Sequence, residues 1–503
     1  MKLKLPYSTQ NWVSLIGATI AVISFFMIVF LFVVSTVFDM GSTYLGLIIY
    51  IALPSLLILG LILIPVGMWL KSKKGKDPKQ ISKKTWPVVD FNNLRTRNAF
   101  WIFAVGSSIF LLATAVGSYE AFHYTESTEF CGKVCHTVMI PEFTAYQNSS
   151  HAKVGCVECH IGSGADWYVR SKVSGLRQVI AVLTNEFSRP IHTPIKDLRP
   201  ARETCEQCHW PQKFYPHKLR STKHYLNDKE NSEWDITLTM KIGSSLSALG
   251  LQEGVHWHIN PDVHIEYKAA DDKRLKIPWV KYTNKKTGQV FVYEDKDQRI
   301  GSTPLDSLET RVMDCMDCHN RPSHSYQPPA FFINNALTSG SVPKELPQIK
   351  FAAMEILGKN FASKNEALSK IEIFINNFYK DNYPDYFENK KELISKAITG
   401  IQNEFNKNIF PEMKVRWDSY PNNIGHVEFM GCFRCHNDNH TTEKKRVISK
   451  DCNLCHVINA QGPPDKMQYA SINSSLEFRH PGTSVTNEWK RMLCVECHTG
   501  LHP

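Results

Sequence analysis

The chain has 503 residues, a formal charge of +10 and a mean hydropathy of −0.26. That length allows several domains, and the overall polarity excludes a many-pass transporter. The apolar character is concentrated, because residues 1–125 hold three long hydrophobic runs and the rest of the chain holds none.

The runs are Trp12 to Phe38, Tyr44 to Leu70 and Ala99 to Phe122. Each reaches the roughly 20 residues needed to cross a bilayer. The first is too long for a signal-peptide core, and a second span follows it at once. Only Asp39 to Thr43 joins the two, which implies a tight hairpin. Pro54 and Pro65 interrupt the second run, implying a kink or loose packing. The 71–97 segment is strongly basic, from Lys71, Lys73 and Lys74 to Arg95 and Arg97, as is the Met1 to Lys4 end. Positive residues stay on the cytoplasmic side, so everything beyond the third span is expected outside. No span holds a histidine before His123 at its boundary, so a haem b inside the membrane is not expected.

The fourteen cysteines form seven pairs, each followed directly by histidine. Six read Cys-x-x-Cys-His. In chain order they are Cys156, Cys159, His160; Cys205, Cys208, His209; Cys315, Cys318, His319; Cys432, Cys435, His436; Cys452, Cys455, His456; and Cys494, Cys497, His498. They are numbered here as motifs 2 to 7. Motif 1, Cys131, Cys135 and His136, has three residues between its cysteines. Cys-x-x-Cys-His is the attachment pattern of haem c. The thiols form thioethers and the histidine supplies an iron ligand. Zinc sites would leave the seven following histidines unexplained. Haem c is attached on the outer face of the membrane, in agreement with the charge pattern. Seven covalent haems would also add propionates, so the basic balance does not argue for nucleic acid.

Beyond motif 2, Trp167 to Phe187 reads as an amphipathic helix, with Val169, Val173, Leu176, Ile180 and Leu183 at helical spacing. Arg170, Lys172 and Arg177 make it basic, suited to a headgroup surface or to haem packing. Residues 216–310 contain His217, His224, His256, His258 and His264 as candidate ligands and a β-hairpin signal over Trp279 to Glu294. Residues 345–408 read as two or three helices broken at Pro384, a scaffold. The tail packs three motifs closely.

A third membrane helix, a first motif followed by a nearby methionine, and His151-x4-Cys156-x-x-Cys159-His160 leading to a basic helix together resemble the NapC/NrfH family of membrane-anchored quinol dehydrogenases. The match covers roughly residues 99–215. The whole chain is similar to the larger inner-membrane cytochromes of metal-reducing bacteria. The resemblance implies oxidation of menaquinol at the outer surface, with electrons passed to periplasmic cytochromes or other redox proteins. It also implies Met139 as a ligand at the first haem and Lys172 as the basic residue near the quinol. Asp166 and Glu142 are candidate proton acceptors beside Lys172. Two departures stand out. Motif 1 has its extra residue, which leaves open whether His136 or Met139 binds iron, and Gly162 stands where the family has proline.

Twenty histidines less the seven in motifs leave thirteen, a surplus that implies low-spin haems held by two histidines. The expected second ligands are His151, His224, His324, His426, His440 and His480, with His192 and His258 in reserve. The expected fold is a membrane-anchored multihaem cytochrome c. It has three transmembrane helices and a mostly helical, haem-packed periplasmic domain with little regular sheet. The expected divisions are 1–97 (hairpin and cytoplasmic loop), 98–125 (third span), 126–215 (quinol module, haems 1–3), 216–344 (insert with haem 4), 345–425 (helical scaffold) and 426–503 (haems 5–7). Two other functions fit the motifs: a haem subunit of a larger membrane complex, and a terminal reductase with an open iron.

Overall fold

The computed structural model describes residues 11–37, 48–74, 91–134, 136–162, 164–193, 199–211, 214–243, 254–298, 304–472, 474–482, 485 and 487–501. The chain forms two compact units, Met1–Met139 and Ile140–Pro503.

The first unit contains α1 (Trp12–Val37), a π-helical turn (Ile48–Ala52), α2 (Leu53–Lys74) and α3 (Leu94–Glu126). Within them Trp12–Leu31, Leu53–Lys71 and Ala104–Glu126 are long and apolar enough to cross a membrane. Tyr44 to Leu47 and the basic loop over 75–90 lie outside the described residues. Lipid offers no hydrophobic drive for two such helices to associate, so close backbone approach and polar contacts must hold them. Small residues supply the approach. A Cβ on Gly60 would lie 2.7 Å from the Ala21 nitrogen, and one on Gly17 would lie 2.7 Å from the Gly60 carbonyl oxygen. The Ser14 hydroxyl donates to the Ile64 carbonyl at 2.8 Å. Pro54 sits in the first turn of α2, where its missing N–H costs nothing. Pro65 lies inside the helix.

The second unit carries the cysteine motifs on short helical pieces: α5 (Cys156–His160), α7 (Ala201–Cys205) and α8 (Cys315–Cys318). They follow α4 (His136–Gln147), which spans the boundary between units, and α6 (Ala165–Leu183), the expected basic amphipathic helix, lies between the first two. Two antiparallel sheets frame them. One has the order β1 (His217–Tyr225), β2 (Glu233–Lys241), β7 (His456–Gly462), β8 (Gln468–Tyr469). The other runs β5 (Val290–Glu294), β4 (Trp279–Asn284), β3 (Val263–Lys268), β6 (Thr310–Val312). The hairpin expected over Trp279 to Glu294 is β4 and β5, registered from Trp279 opposite Glu294 to Thr283 opposite Val290. β3 alternates buried Val263, Ile265 and Tyr267 with half-buried partners and seats a small core with Ile277 and Val280. Sheet content is modest; β1 comes from sequence with no apolar alternation, whereas β2 alternates Trp234, Ile236, Leu238 and Met240 with polar residues.

The haem-free stretch folds as helices: α9 (Pro329–Thr338), α10 (Ile349–Leu357), α11 (Lys364–Asn382), α12 (Pro384–Asn389) and α13 (Lys391–Asn408). Ser363 caps α11 through the Glu366 N–H at 3.2 Å. Ile371, Ile375 and Tyr379 recur at four-residue spacing and are fully buried. Ile394, Ala397, Ile401 and Phe405 answer them from α13. Burying each such large side chain contributes roughly 1.5–3 kcal/mol. Gly400 allows the close pass, since a Cβ there would meet the Ser341 carbonyl oxygen at 2.5 Å. This block is the main apolar core of the second unit and fits the expected scaffold role.

Lys350 is fully buried in that core. Its amine donates to the Tyr225 carbonyl and, at 2.6 Å, to the Asn334 side-chain oxygen. Burial pulls its pKa down to about 7. The unfolded chain keeps this proton until near pH 10.4, so between those values it binds more protons than the folded chain. Stability of the helical block therefore rises with pH over that window, by up to about 1.4 kcal/mol per pH unit. Hydrogen exchange of the α10 amides at pH 7 and pH 9 measures this, and Lys350→Met is expected to flatten the dependence.

Candidate haem centres

Four of the motifs close on themselves through the backbone. The histidine N–H donates to the first cysteine's carbonyl at 2.8 Å in motifs 3 and 4, 3.0 Å in motif 5 and 2.9 Å in motif 7. That four-residue closure stacks the imidazole one turn above the first thiol, as on a helix. Motif 4 is fixed further by its own acids. Asp314 accepts from the Met316 N–H at 2.8 Å, while Asp317 accepts from the Asp314 N–H at 2.7 Å. Asp317 is buried and also receives the Tyr267 hydroxyl at 2.5 Å and Arg274 at 3.3 Å.

Every motif histidine from motif 2 onward faces a second imidazole from elsewhere in the chain. Ring centres are 6.1 Å apart for His160 and His324, 5.9 Å for His209 and His151, and 6.3 Å for His319 and His256. They are 5.9 Å for His436 and His258, 6.1 Å for His456 and His426, and 5.9 Å for His498 and His480. Ring-to-ring attraction does not explain the set, because the interplanar angles run from 18° to 84° while the separation barely changes. Two imidazoles on one metal, each nitrogen roughly 2 Å from it, have ring centres roughly 6 Å apart. The residues therefore fit an iron between each pair.

Five of the twelve rings are oriented by their second nitrogen. The Nδ1 atoms of His151, His258, His324, His436 and His480 bond backbone carbonyls of Pro322, Val255, Glu142, Ser449 and Pro481 at 2.7 to 3.3 Å. That contact fixes the tautomer and leaves Nε2 for a metal. Burial pulls the pKa of His160, His319 and His324 below the usual histidine value, and that of His256 and His456 down to about 4. Neutral imidazole is the ligating form. Among the described residues no three His, Cys, Asp or Glu side chains converge on one point.

Other expected ligands lie elsewhere. His440 is fully buried, but its Nδ1 contacts the Asn437 side-chain oxygen at 3.0 Å and its Nε2 the Ile277 carbonyl at 2.7 Å. No nitrogen remains for iron. His224 lies on β1 opposite Trp234, burial pulls it down to about 4, and His498, whose charge reaches it, faces His480. His192 is exposed. His256 stood among five candidates in its stretch and pairs with motif 4. It shares a 3-10 turn, Val255–Ile259, with His258. Cys131 lies in a π-helical turn, Phe130–Val134, and Met139 is half-buried on α4. Cys135 and the His136 side chain lie outside the described residues.

Motifs 2 to 5 adjoin one another in order. α7 packs against both α5 and α8, and the Cys205 and Cys315 thiols are in hydrogen-bond contact. Between motifs 4 and 5, Arg434 Nη2 donates to the Asp317 carbonyl at 2.7 Å. Cys432 is near enough to Cys455 to help raise its pKa, and Cys452 does the same for Cys494, behind burial as the larger cause in both. The expected proton acceptors separate. Asp166 and Lys172 are on α6, where Lys172 Nζ lies 5.0 Å from the Tyr168 ring centre. Glu142 is in an ion pair with Arg321 at 3.1 Å.

Three apolar spans, helical scaffolding and paired histidines on haem-attachment motifs define a membrane-anchored multihaem c-type cytochrome that transfers electrons. Residues 94–194 match the NapC/NirT cytochrome c family, N-terminal region. The chain is 42% identical over 488 residues to the cytochrome c-type protein ImcH of Geobacter sulfurreducens, covering 97% of this chain and 95% of that protein. It is 29% identical over 117 residues to the cytochrome c-type protein NrfH of Wolinella succinogenes, covering 21% of this chain and 66% of that protein. No solved structure matches it. The chain belongs to the ImcH family of cytochromes, with a NapC/NirT-type region at its third span and first motifs.

Removing one member of a pair is expected to open its iron, and removing His440 is not. In near-infrared magnetic circular dichroism, His258→Ala should convert one low-spin haem to high-spin, while His440→Ala keeps the unmodified low-spin intensity.

Proposed function

We propose that the protein oxidises menaquinol at the outer face of the cytoplasmic membrane and passes the electrons to periplasmic cytochromes or other redox proteins. The observation that carries this reading is the set of six facing imidazole pairs. Bound there, six haems c supply one-electron carriers with no open coordination position, which suits relay and not turnover of a small acceptor. Motif 1 would hold a seventh, with Cys131 and Cys135 as thioether donors and Met139 or His136 toward the iron. Motifs 2 to 5 adjoin in sequence order, which supports a relay that passes along them toward motifs 6 and 7. A terminal reductase needs an open iron, and the pairing leaves room for one only at motif 1.

The basic loop over 71–97 keeps the N-terminus cytoplasmic and the haem-bearing chain periplasmic. α6 suits the membrane surface. Val173, Leu176, Ile180 and Leu183 are all more than half exposed on it, beside Arg170, Lys172 and Arg177. Lys172 would hydrogen-bond a quinol hydroxyl, and Asp166 would take up a proton from it. Each menaquinol releases two electrons into the relay and two protons to the periplasm. The α1–α2 hairpin, which a single anchor does not need, offers a face to other membrane subunits.

In nanodiscs, the purified protein alone should be reduced by a menaquinol analogue. Lys172→Ala should slow that reduction at least tenfold with the haem spectrum unchanged. Reduction only after adding another membrane subunit would instead favour a subunit role.

A further inference from the structure

Glu142 does not stand free for proton uptake. Its carboxylate receives Arg321 Nη2 at 3.1 and 3.3 Å. His324 Nδ1 lies 3.0 Å from the Glu142 carbonyl oxygen and 3.3 Å from its carboxylate. Arg321 Nε donates to the His324 carbonyl at 2.7 Å. The guanidinium is clamped between the Tyr420 ring, at 4.2 Å, and the Tyr326 ring, at 5.3 Å. Tyr420 is tied in turn by its hydroxyl to the Ile191 carbonyl at 2.7 Å. The side chains of Arg321 and Glu142 are only 9% and 14% exposed.

A buried ion pair is a costly way to hold two chain segments together, because the desolvation penalty offsets much of the attraction. Apolar contacts would do the same work more cheaply. This pair is built onto the back of one imidazole, the one facing His160 at 6.1 Å. A carboxylate on the outer nitrogen of a metal-bound histidine makes the ring a stronger donor, and donor strength, hydrogen bonding and burial are the protein's levers on a haem's potential.

We propose that Glu142 and Arg321 act as opposed positioning residues that set the reduction potential of the single haem held between His160 and His324. The carboxylate strengthens donation from His324 and favours the oxidised iron. The guanidinium neutralises part of that charge and favours the reduced iron. Placed at the second motif, the pair adjusts the step by which electrons leave the membrane-proximal motif. The proposal rests on the bis-histidine reading above.

The test is a potentiometric titration of the purified full-length protein, followed by absorbance and by EPR of the low-spin signals. Glu142→Gln keeps the side chain's shape and is expected to raise one midpoint by about tenfold in the reduction constant, which is about 59 mV for one electron. Arg321→Gln is expected to lower the same midpoint. Glu142→Asp should restore most of the original value, and the double variant Glu142→Gln, Arg321→Gln should lie between the singles. A purely structural clamp would shift both variants in the same direction, or would broaden many signals together. Either result overturns the proposal, as does an unmoved midpoint in a fully low-spin Glu142→Gln protein. High-spin haem at motif 2 in the unmodified protein would instead remove the bis-histidine footing.

Discussion

The folded chain is organised around one distance, the roughly 6 Å between facing imidazole rings, which is the spacing that fits a metal between them. Six times it brings together two rings from different segments of the chain. His324, beyond motif 4, meets His160 of motif 2, and His258 meets His436 across most of the insert and all of the helical block. The two apolar cores are the α9–α13 block and the β3–β4 face, and Cys435 of motif 5 packs against the second. Around the motifs the chain is mostly polar and half-buried. Such a chain gains its interior from the groups it binds, and binding free energy becomes folding free energy.

The protein scaffold fixes where the rings can meet. Asp317 ties motif 4 to β3 through Tyr267 and, by its carbonyl, to motif 5 through Arg434. β7 begins at His456 of motif 6 and pairs with β2, His456 opposite Met240. The 3-10 turn carrying His256 and His258 is a neat divider. At three residues per turn, side chains two apart point to different sides, so one turn can serve motifs 4 and 5 together. Trp257, between them, stacks on Tyr282 of β4 at 5.1 Å and locks the turn to the sheet.

Much of this was legible from residues alone, for physical reasons. Lipid demands long apolar helices, so the spans are plain. Thioether chemistry demands a fixed spacing, so the motifs are plain. Apolar periodicity reveals α6, the α11–α13 helices and the β4–β5 hairpin. β1 is not legible, since His217, Lys218, Arg220, Lys223 and His224 give it no apolar alternation; its place comes from pairing with β2. The second ligands were only partly legible, because nearness in sequence is a poor guide to nearness in space. His440 lies four residues after His436, yet its ring turns into the β3–β4 core and bonds Ile277. His151 lies just before motif 2, yet faces motif 3. His256 has no local mark at all, and only the fold turns it toward His319.

The central claim is that the iron atoms sit between these particular pairs, in chain order. The most direct measurement is a structure of the haem-loaded protein with the irons located by anomalous scattering. The expected result is six irons, each between the rings of one named pair, with neighbouring irons following the order of motifs 2 to 7. An iron on His440 or His224, or a motif from 2 to 7 whose iron lacks its facing histidine, would contradict it.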